Sequence, residues 1–117
     1  MQGLPQISLP IDIPDMGDRV RVMIRKAIQA LLEADAKLAE SVLAMDDEVD
    51  DMNRSVQQEL VEVMQQHPVV SSQALNAIIV SRNLERSADH ATNIAEDVIF
   101  WVRGSDVRHQ MSLAQAE

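Results

Sequence analysis

Two pairs of carboxylates have a spacing that suggests metal chemistry. Asp46 and Asp50 lie four residues apart, and Glu85 and Asp89 repeat that spacing later in the chain. Side chains four residues apart on a helix stand one turn above each other, so each pair presents two acidic groups on one side of its helix. Carboxylate oxygens placed in this way can share a hard cation such as magnesium, manganese, calcium or iron.

Helical geometry separates the acids that face a neighbouring helix from those that face water. With Val49 at the centre of the apolar stripe, Asp46 and Asp50 flank the stripe, whereas Asp47 and Asp51 point to solvent. The later helix carries a similar row beside its own apolar stripe. The candidate metal ligands from the two helices are Asp46, Asp50, Glu85, Asp89, Asn93 and Glu96.

Two other interpretations of the acidic rows stay open. The acids can form a solvated face, as many helices carry acids at this spacing, or they can pair with Arg82 and Arg86 as surface ion pairs. The same two arginines are candidate contacts for a partner protein. His90 falls on the side of the helix opposite the acidic row, so we do not count it as a ligand.

Composition argues against several other functions. The chain has no cysteine, its three glycines are scattered, and no Ser-His-Asp arrangement is recognisable, so we expect neither an enzyme nor an organic cofactor. A net charge of −9 argues against nucleic acid as a partner. The absence of cysteine fits a reducing cytoplasm, no secretory signal is recognisable, and no apolar run is long enough to span a membrane, so contact with a membrane is expected only through partners.

Apolar residues recur at helical spacing in three stretches, which predicts helices over 15–33, 36–66 and about 71–102. Asp35 is suited to cap the second helix, and the His67-Pro68 pair to end it. Three helices joined by short turns run up, down and up, so the fold class is all-α, an antiparallel three-helix bundle of long helices. The predicted core is free of aromatic residues. It comprises Val20, Met23, Ile24, Ala27, Ile28 and Leu31, then Leu38, Val42, Met45, Val49, Met52 and Val56, then Ala77, Leu84, Ala88, Ala91, Ala95, Val98 and Val102.

Proline and glycine suggest the boundaries of the bundle. Pro5, Pro10 and Pro14 predict an irregular arm or linker over residues 1–14, followed by Asp15 as the cap of the first helix. Gly104 is the expected end of the third helix. The predicted organisation is therefore an arm at 1–14, the bundle at 15–109 and a frayed polar tail at 110–117.

The run SRNLERSADHATNIAEDV at 81–98 closely resembles the last-helix signature of the PhoU family, Arg-x-Leu-Glu-Arg-x-x-Asp-His-x-x-Asn-Ile-Ala-Glu. The segment MDDEVD at 45–50 resembles the second-helix motif of that family, and residues 104–109 resemble its ending. The resemblance extends over about residues 15–109. PhoU proteins are helical and usually hold two three-helix repeats, of which this chain resembles the second.

The resemblance implies a cytoplasmic negative regulator of phosphate uptake and of phosphate-starvation signalling. Its implied partners are the ATPase of a phosphate ABC transporter and a phosphate-sensor histidine kinase. Some family members bind metal clusters through carboxylate-x-x-x-Asp motifs, which implicates the six candidate ligands above in binding iron, manganese, magnesium or another divalent cation. A single repeat is either a fragment or a chain that forms a homodimer. The alternatives are the PhoU-like domain of a sodium–phosphate cotransporter, a metal-binding protein, or a helical oligomerisation module.

Overall fold

A computed structural model describes residues 12–116, except for the side chains of 106–110 and 112–116. Helix α1 spans Asp12–Glu33, α2 spans Ala36–Gln66 and α3 spans Ser71–Ala116, and a short 3₁₀ turn at Pro68–Val70 precedes α3. The described part of the chain contains no strand. The predicted all-α three-helix bundle is confirmed, and each helix packs against the other two.

A tight turn connects α1 to α2. Ala34 adopts a left-handed backbone with φ of 53°, and the Asp35 N–H donates to the Ala30 carbonyl at 2.9 Å. The Asp35 carboxylate then accepts a hydrogen bond from the Leu38 N–H at 3.0 Å. The predicted cap of α2 is therefore confirmed. The same two-residue turn pairs backbone polar groups at the end of α1 and at the start of α2 that have no partner within their own helices.

Pro68 separates α2 from α3. The His67 N–H donates to the Val63 carbonyl at 2.8 Å and ends α2, as the sequence predicts. Pro68 then starts the 3₁₀ turn. Because the N–H groups of a first turn have no partner within the helix, the missing N–H of proline costs no hydrogen bond there. The short connection forces α3 to return along α2, which lets the two acidic rows meet.

Small and aliphatic side chains fill the core. Met16, Met23 and Leu60 are among its largest fully buried side chains, and α3 contributes the fully buried alanines 88, 91 and 95. Alanine at these positions lets the neighbouring helices approach α3 closely. Phe100 is 83% exposed and Trp101 is 50% exposed, so the described core is free of aromatic residues, as predicted.

The helix ends differ from the prediction at two places. Helix α1 begins at Asp12 instead of 15. Pro14 is compatible with this start because it lies in the first turn, where backbone N–H groups have no hydrogen-bond partner within the helix. Asp15 therefore lies inside the helix and does not cap it. Helix α3 continues through Gly104, which has no positive φ, to Ala116. Residues 110–116 of the predicted tail belong to α3 in the structure, and residues 1–11 of the predicted arm lie outside the described residues.

Two residues of the predicted core of α1 are not buried. Ile28 is 46% exposed and Leu31 is 48% exposed, whereas Ala30 is fully buried in their place. The apolar stripe of α1 is wider than the surface that two neighbouring helices can cover. Its outer edge therefore faces solvent beside α3.

Candidate functional site

The carboxylates of α2 and α3 meet on one side of the bundle, which we call the α2–α3 face. Asp46, Asp50 and Glu85 are half-buried there, and Asp89 is exposed beside them. Asp47, like Asp51, is exposed, as helical geometry predicts. The antiparallel return of α3 thus brings together two acidic pairs that are separated by about forty residues of sequence. We call Asp46, Asp50, Glu85 and Asp89 the carboxylate cluster.

The environment of Glu85 favours its protonated form. Burial, a side-chain hydrogen bond with Asp50 and the charges of Asp50, Asp89 and Asp46 together raise the pKa of Glu85 to about 7. A hydrogen bond between two carboxyl groups requires a proton on one of them. Glu85 is therefore the member of the cluster whose protonated form is favoured up to about pH 7.

Asp46 is also held in an unfavourable environment for a charge. Burial raises its pKa above the usual value, and the charges of Asp50, Asp89, Asp47 and Glu96 raise it further. The influence of Glu96 places that residue close to the cluster, although its own side chain is exposed. Asn93, the remaining candidate ligand, is exposed one turn beyond Asp89.

Two carboxylate oxygens of the cluster lack partners. Asp46 Oδ1 and Glu85 Oε2 are buried without a hydrogen bond among the described side chains. A buried acceptor without a donor is costly, and each such atom in a folded protein calls for an explanation, such as a bound ion or water. The donor chemistry, all oxygen and mostly anionic, fits a hard divalent cation.

The cluster does not have the geometry of a finished metal site. Within the described residues, no three His, Cys, Asp or Glu side chains are arranged so that they could hold an ion. The carboxylates that would hold it are those of the cluster, and their side chains would have to turn towards a common point. A bound cation would supply the positive charge that the cluster lacks.

Arg82 and Arg86 lie next to the cluster without neutralising it. Both line a shallow groove of about 280 Å³ together with Glu85 and Asp89. Neither arginine forms an ion pair within the side chains that the structure describes, whereas Arg19 contacts Glu48 across helices. The hypothesis that these arginines pair with the acids is therefore not supported by the geometry.

A buried hydroxyl orients one wall of the groove, and the sequence analysis missed it. Ser81 is fully buried, and its hydroxyl donates to the Asn53 side-chain carbonyl, which also accepts from Gln57 Nε2 at 3.4 Å. With its carbonyl thus occupied, Asn53 has only its NH₂ group left to offer a ligand. The available signal was a serine on the buried stripe, four residues after Ala77, because a hydroxyl at such a position needs a partner.

The fold and this site define a class of protein: a small helical bundle with an acidic cluster between two of its helices. The profile of the PhoU domain matches residues 13–98 of the chain. The chain belongs to the PhoU family.

Relatives from three bacteria cover most of this chain. A protein of Pseudomonas putida is 43% identical over 99 residues, which are 85% of this chain and 39% of the relative. One from Deinococcus radiodurans is 38% identical over 86% of this chain and 47% of the relative. One from Caulobacter vibrioides is 32% identical over 91% and 46%. All three are named phosphate-specific transport system accessory protein PhoU homolog.

The chain spans between about two fifths and one half of the length of these relatives. No solved structure matches the chain. None of the helices in the described part of the chain combines the length and the apolar character that crossing a membrane requires.

Proposed function

We propose that this chain is a regulatory accessory protein of phosphate uptake that acts in the cytoplasm as a negative regulator, through contacts with other proteins and without catalysis. The observation that carries the proposal is the family match over residues 13–98. The names of the relatives, as accessories of phosphate-specific transport systems, support the link to phosphate. Because the chain spans less than half of those relatives, their role as whole proteins enters here as part of the proposal.

The proposed partners are the ATPase of a phosphate ABC transporter and a phosphate-sensor histidine kinase. The α2–α3 face offers groups suited to protein contact, because Arg82 and Arg86 are exposed beside the groove. A guanidinium group can bind a carboxylate of a partner through two parallel hydrogen bonds. We place the partner contact on this face, with the two arginines as its anchors.

The carboxylate cluster favours a second element of the proposal, a bound divalent cation such as iron, manganese or magnesium. One carboxylate oxygen of Asp46 and one of Glu85 are buried without a hydrogen bond, and the pKa values of both residues are raised. The site therefore repels further negative charge. A divalent cation would relieve this repulsion, and Asn93 and Glu96 extend the row of oxygen ligands.

We also propose that the chain forms a homodimer.

Capture of partners from cells tests the proposal. The full chain, carrying an affinity tag, is expressed in a bacterium grown with abundant phosphate, and the captured proteins are quantified by mass spectrometry. We expect enrichment of the transporter ATPase, the sensor kinase or both. The Arg82→Glu, Arg86→Glu variant is expected to lose at least tenfold of this enrichment, since it replaces two exposed cations by anions on an already acidic face.

The matched control reverses an exposed cation at the beginning of α2, Lys37→Glu, and is expected to keep the enrichment. Circular dichroism on the same samples checks that all variants remain helical. Recovery of neither partner with the unmodified chain would contradict the proposed function. Equal loss in the control and the arginine variant would contradict the placement of the contact.

A further inference from the structure

The shallow groove beside the carboxylate cluster, which we call the arginine groove, has one wall of hydrogen-bond donors. Arg82 and Arg86 stand one turn apart on the same side of α3, and both are exposed. Both line the groove, and within the described side chains neither guanidinium group has an ion pair. A guanidinium group matches an oxyanion well, because it offers two parallel N–H donors. The two arginines are therefore available to an anion from outside the bundle.

Asn53 adds a donor from α2, and Ser81 holds its amide in the required orientation. The Asn53 side-chain carbonyl accepts from the Ser81 hydroxyl and from Gln57 Nε2. Because the carbonyl is occupied twice, the NH₂ group is the part of the amide that remains for a ligand in the groove. Ser81 is fully buried, so the amide orientation depends on a contact that water does not reach.

The other charged groups of the arginine groove are acceptors. Glu85 and Asp89 line the groove with the two arginines, so its lining carries two positive and two negative side chains. Asp46 and Asp50, the other members of the cluster, do not line it. An ionised carboxylate only accepts hydrogen bonds, and it repels an anion that has no proton to donate. The lining therefore suits an anion that has both acceptor oxygens and an O–H group.

Hydrogen phosphate is an anion of this kind. Its bare oxygens can accept from guanidinium and amide groups, and its O–H can donate to Asp89, the exposed carboxylate of the groove. Sulfate has the same tetrahedral shape but carries no proton at neutral pH. A phosphate monoester, such as a phosphorylated side chain, also lacks the O–H above its second pKa of about 6. Free phosphate therefore matches the groove better than sulfate or a phosphoryl group on a macromolecule.

We propose that the arginine groove binds inorganic phosphate as hydrogen phosphate. The donors are Arg82, Arg86 and the Asn53 amide, and Asp89 accepts the hydrogen bond from the phosphate O–H. The proposal rests on the proposed function, because it names a small ligand for the same face of an accessory protein of phosphate uptake. Each guanidinium group has five N–H donors, so a bound phosphate leaves donors for the carboxylate of a partner.

The two proposals can fail separately. Phosphate binding is measured on the purified chain, which needs no transporter or kinase, whereas the capture of partners from cells does not depend on a contact between the arginines and phosphate. A chain that captures its partners without binding phosphate would therefore overturn only the present proposal.

Isothermal titration calorimetry of the purified full chain with inorganic phosphate is the direct test. The buffer is held at about pH 7.5 and contains magnesium, so that a cation can offset the negative charge of the cluster. We expect phosphate to bind at one site per chain, and sulfate and methyl phosphate to bind about tenfold more weakly. Absence of phosphate binding, or equal binding of phosphate and sulfate, would overturn the proposal. Methyl phosphate that binds as tightly as phosphate would overturn the preference for the free anion.

Removal of the guanidinium groups tests the donor wall. The Arg82→Gln, Arg86→Gln variant is expected to bind phosphate about tenfold more weakly, since it loses two charged donors. The matched control is Arg21→Gln, Arg25→Gln, which removes two exposed arginines of the same spacing from α1. It is expected to bind phosphate as the unmodified chain does, and circular dichroism checks that both variants remain helical. Equal loss of binding in the two variants would overturn the placement of phosphate in the groove.

The selectivity of Asp89→Asn tests the acceptor. Asparagine keeps the shape of the side chain but replaces the negative charge by an NH₂ donor. We expect this variant to bind sulfate at least as tightly as phosphate, whereas a loosened fold would weaken both anions alike. Asp97→Asn, at an exposed acid of α3 outside the arginine groove, is the control and is expected to keep the preference for phosphate. A preference that Asp89→Asn retains in full would overturn the role of Asp89.

Discussion

Glu85 has the most strongly altered environment that we find at the scale of single residues. It lies half-buried among three other carboxylates, with one buried oxygen that lacks a hydrogen bond. Surface acids on a helix usually face water and titrate normally, whereas this one holds its proton to about pH 7. The folded chain therefore maintains a group that gains from binding either a proton or a cation.

The raised pKa of Glu85 predicts a pH dependence of stability. The unfolded chain releases this proton near pH 4.5, and the folded chain keeps it to about pH 7. The contribution of the group to stability is thus full below pH 4.5 and is lost as the pH rises through 7. In buffer without divalent cations, we expect the thermal midpoint to fall between pH 5 and pH 7.5 and the fall to be smaller in Glu85→Gln.

Glu59→Gln is the control, since Glu59 is an exposed acid of α2 outside the cluster. It is expected to keep the full pH dependence of the unmodified chain. If Glu85→Gln and the unmodified chain have parallel profiles, the proton is not held at this position in the folded state.

The connections between helices determine whether the two acidic pairs can meet. In the turn between α1 and α2, one residue has an unfavourable backbone conformation. Ala34 adopts a left-handed backbone, which is unfavourable by about 1 kcal/mol for a residue with a side chain. Glycine is the usual residue at this position of a helix end. The turn is retained because its hydrogen bonds and the Asp35 cap offset that cost.

Ala34→Gly is expected to raise the free energy of unfolding by about 0.5–1 kcal/mol, since relief of the strain exceeds the added freedom of the unfolded chain. Urea denaturation followed by circular dichroism measures the change. Ala44→Gly, at an exposed position inside α2, is the control and is expected to destabilise by about 1 kcal/mol. Changes of the same sign in both variants would contradict the account of the turn.

Sequence periodicity predicted the elements better than their ends. The buried alanines of α3 and the alternating aliphatic residues of α2 follow from helical spacing alone. The start at Asp12 and the continuation through Gly104 did not follow. A proline is compatible with a first turn as well as with an arm, and a glycine lowers helix stability without ending the helix.

The site was predictable one helix at a time. Helical geometry separated Asp46 and Asp50 from the solvent-facing Asp47 and Asp51, and the structure agrees. The contact between Glu85 and Asp50 was not predictable, because it depends on the register of α3 against α2. That register is determined by core packing, which cannot be deduced from the spacing of residues along a single helix.

At the scale of the whole molecule, the acidic and the apolar features lie on different faces. The acidic cluster and the arginine-lined groove lie between α2 and α3, and the apolar patch around Trp101 lies between α1 and α3. The proposed cation site and partner contact on the α2–α3 face are therefore separate from the apolar patch. This division predicts that substitution of Leu31 or Trp101 leaves the proposed cation binding of the α2–α3 face unchanged.

The central proposal is that the carboxylates that the fold gathers from α2 and α3 bind a cation. Its most direct test is the metal content, by elemental mass spectrometry, of untagged protein purified without a chelator. The variant Asp50→Asn, Glu85→Gln removes charge from the cluster with little change in shape. The control variant, Asp47→Asn, Asp51→Asn, removes the same charge from solvent-facing positions of α2. We expect stoichiometric iron, manganese or another divalent cation in the unmodified chain and in the control, and its loss from the cluster variant. Absence of metal from the unmodified chain, or equal metal in all three proteins, would contradict the proposal.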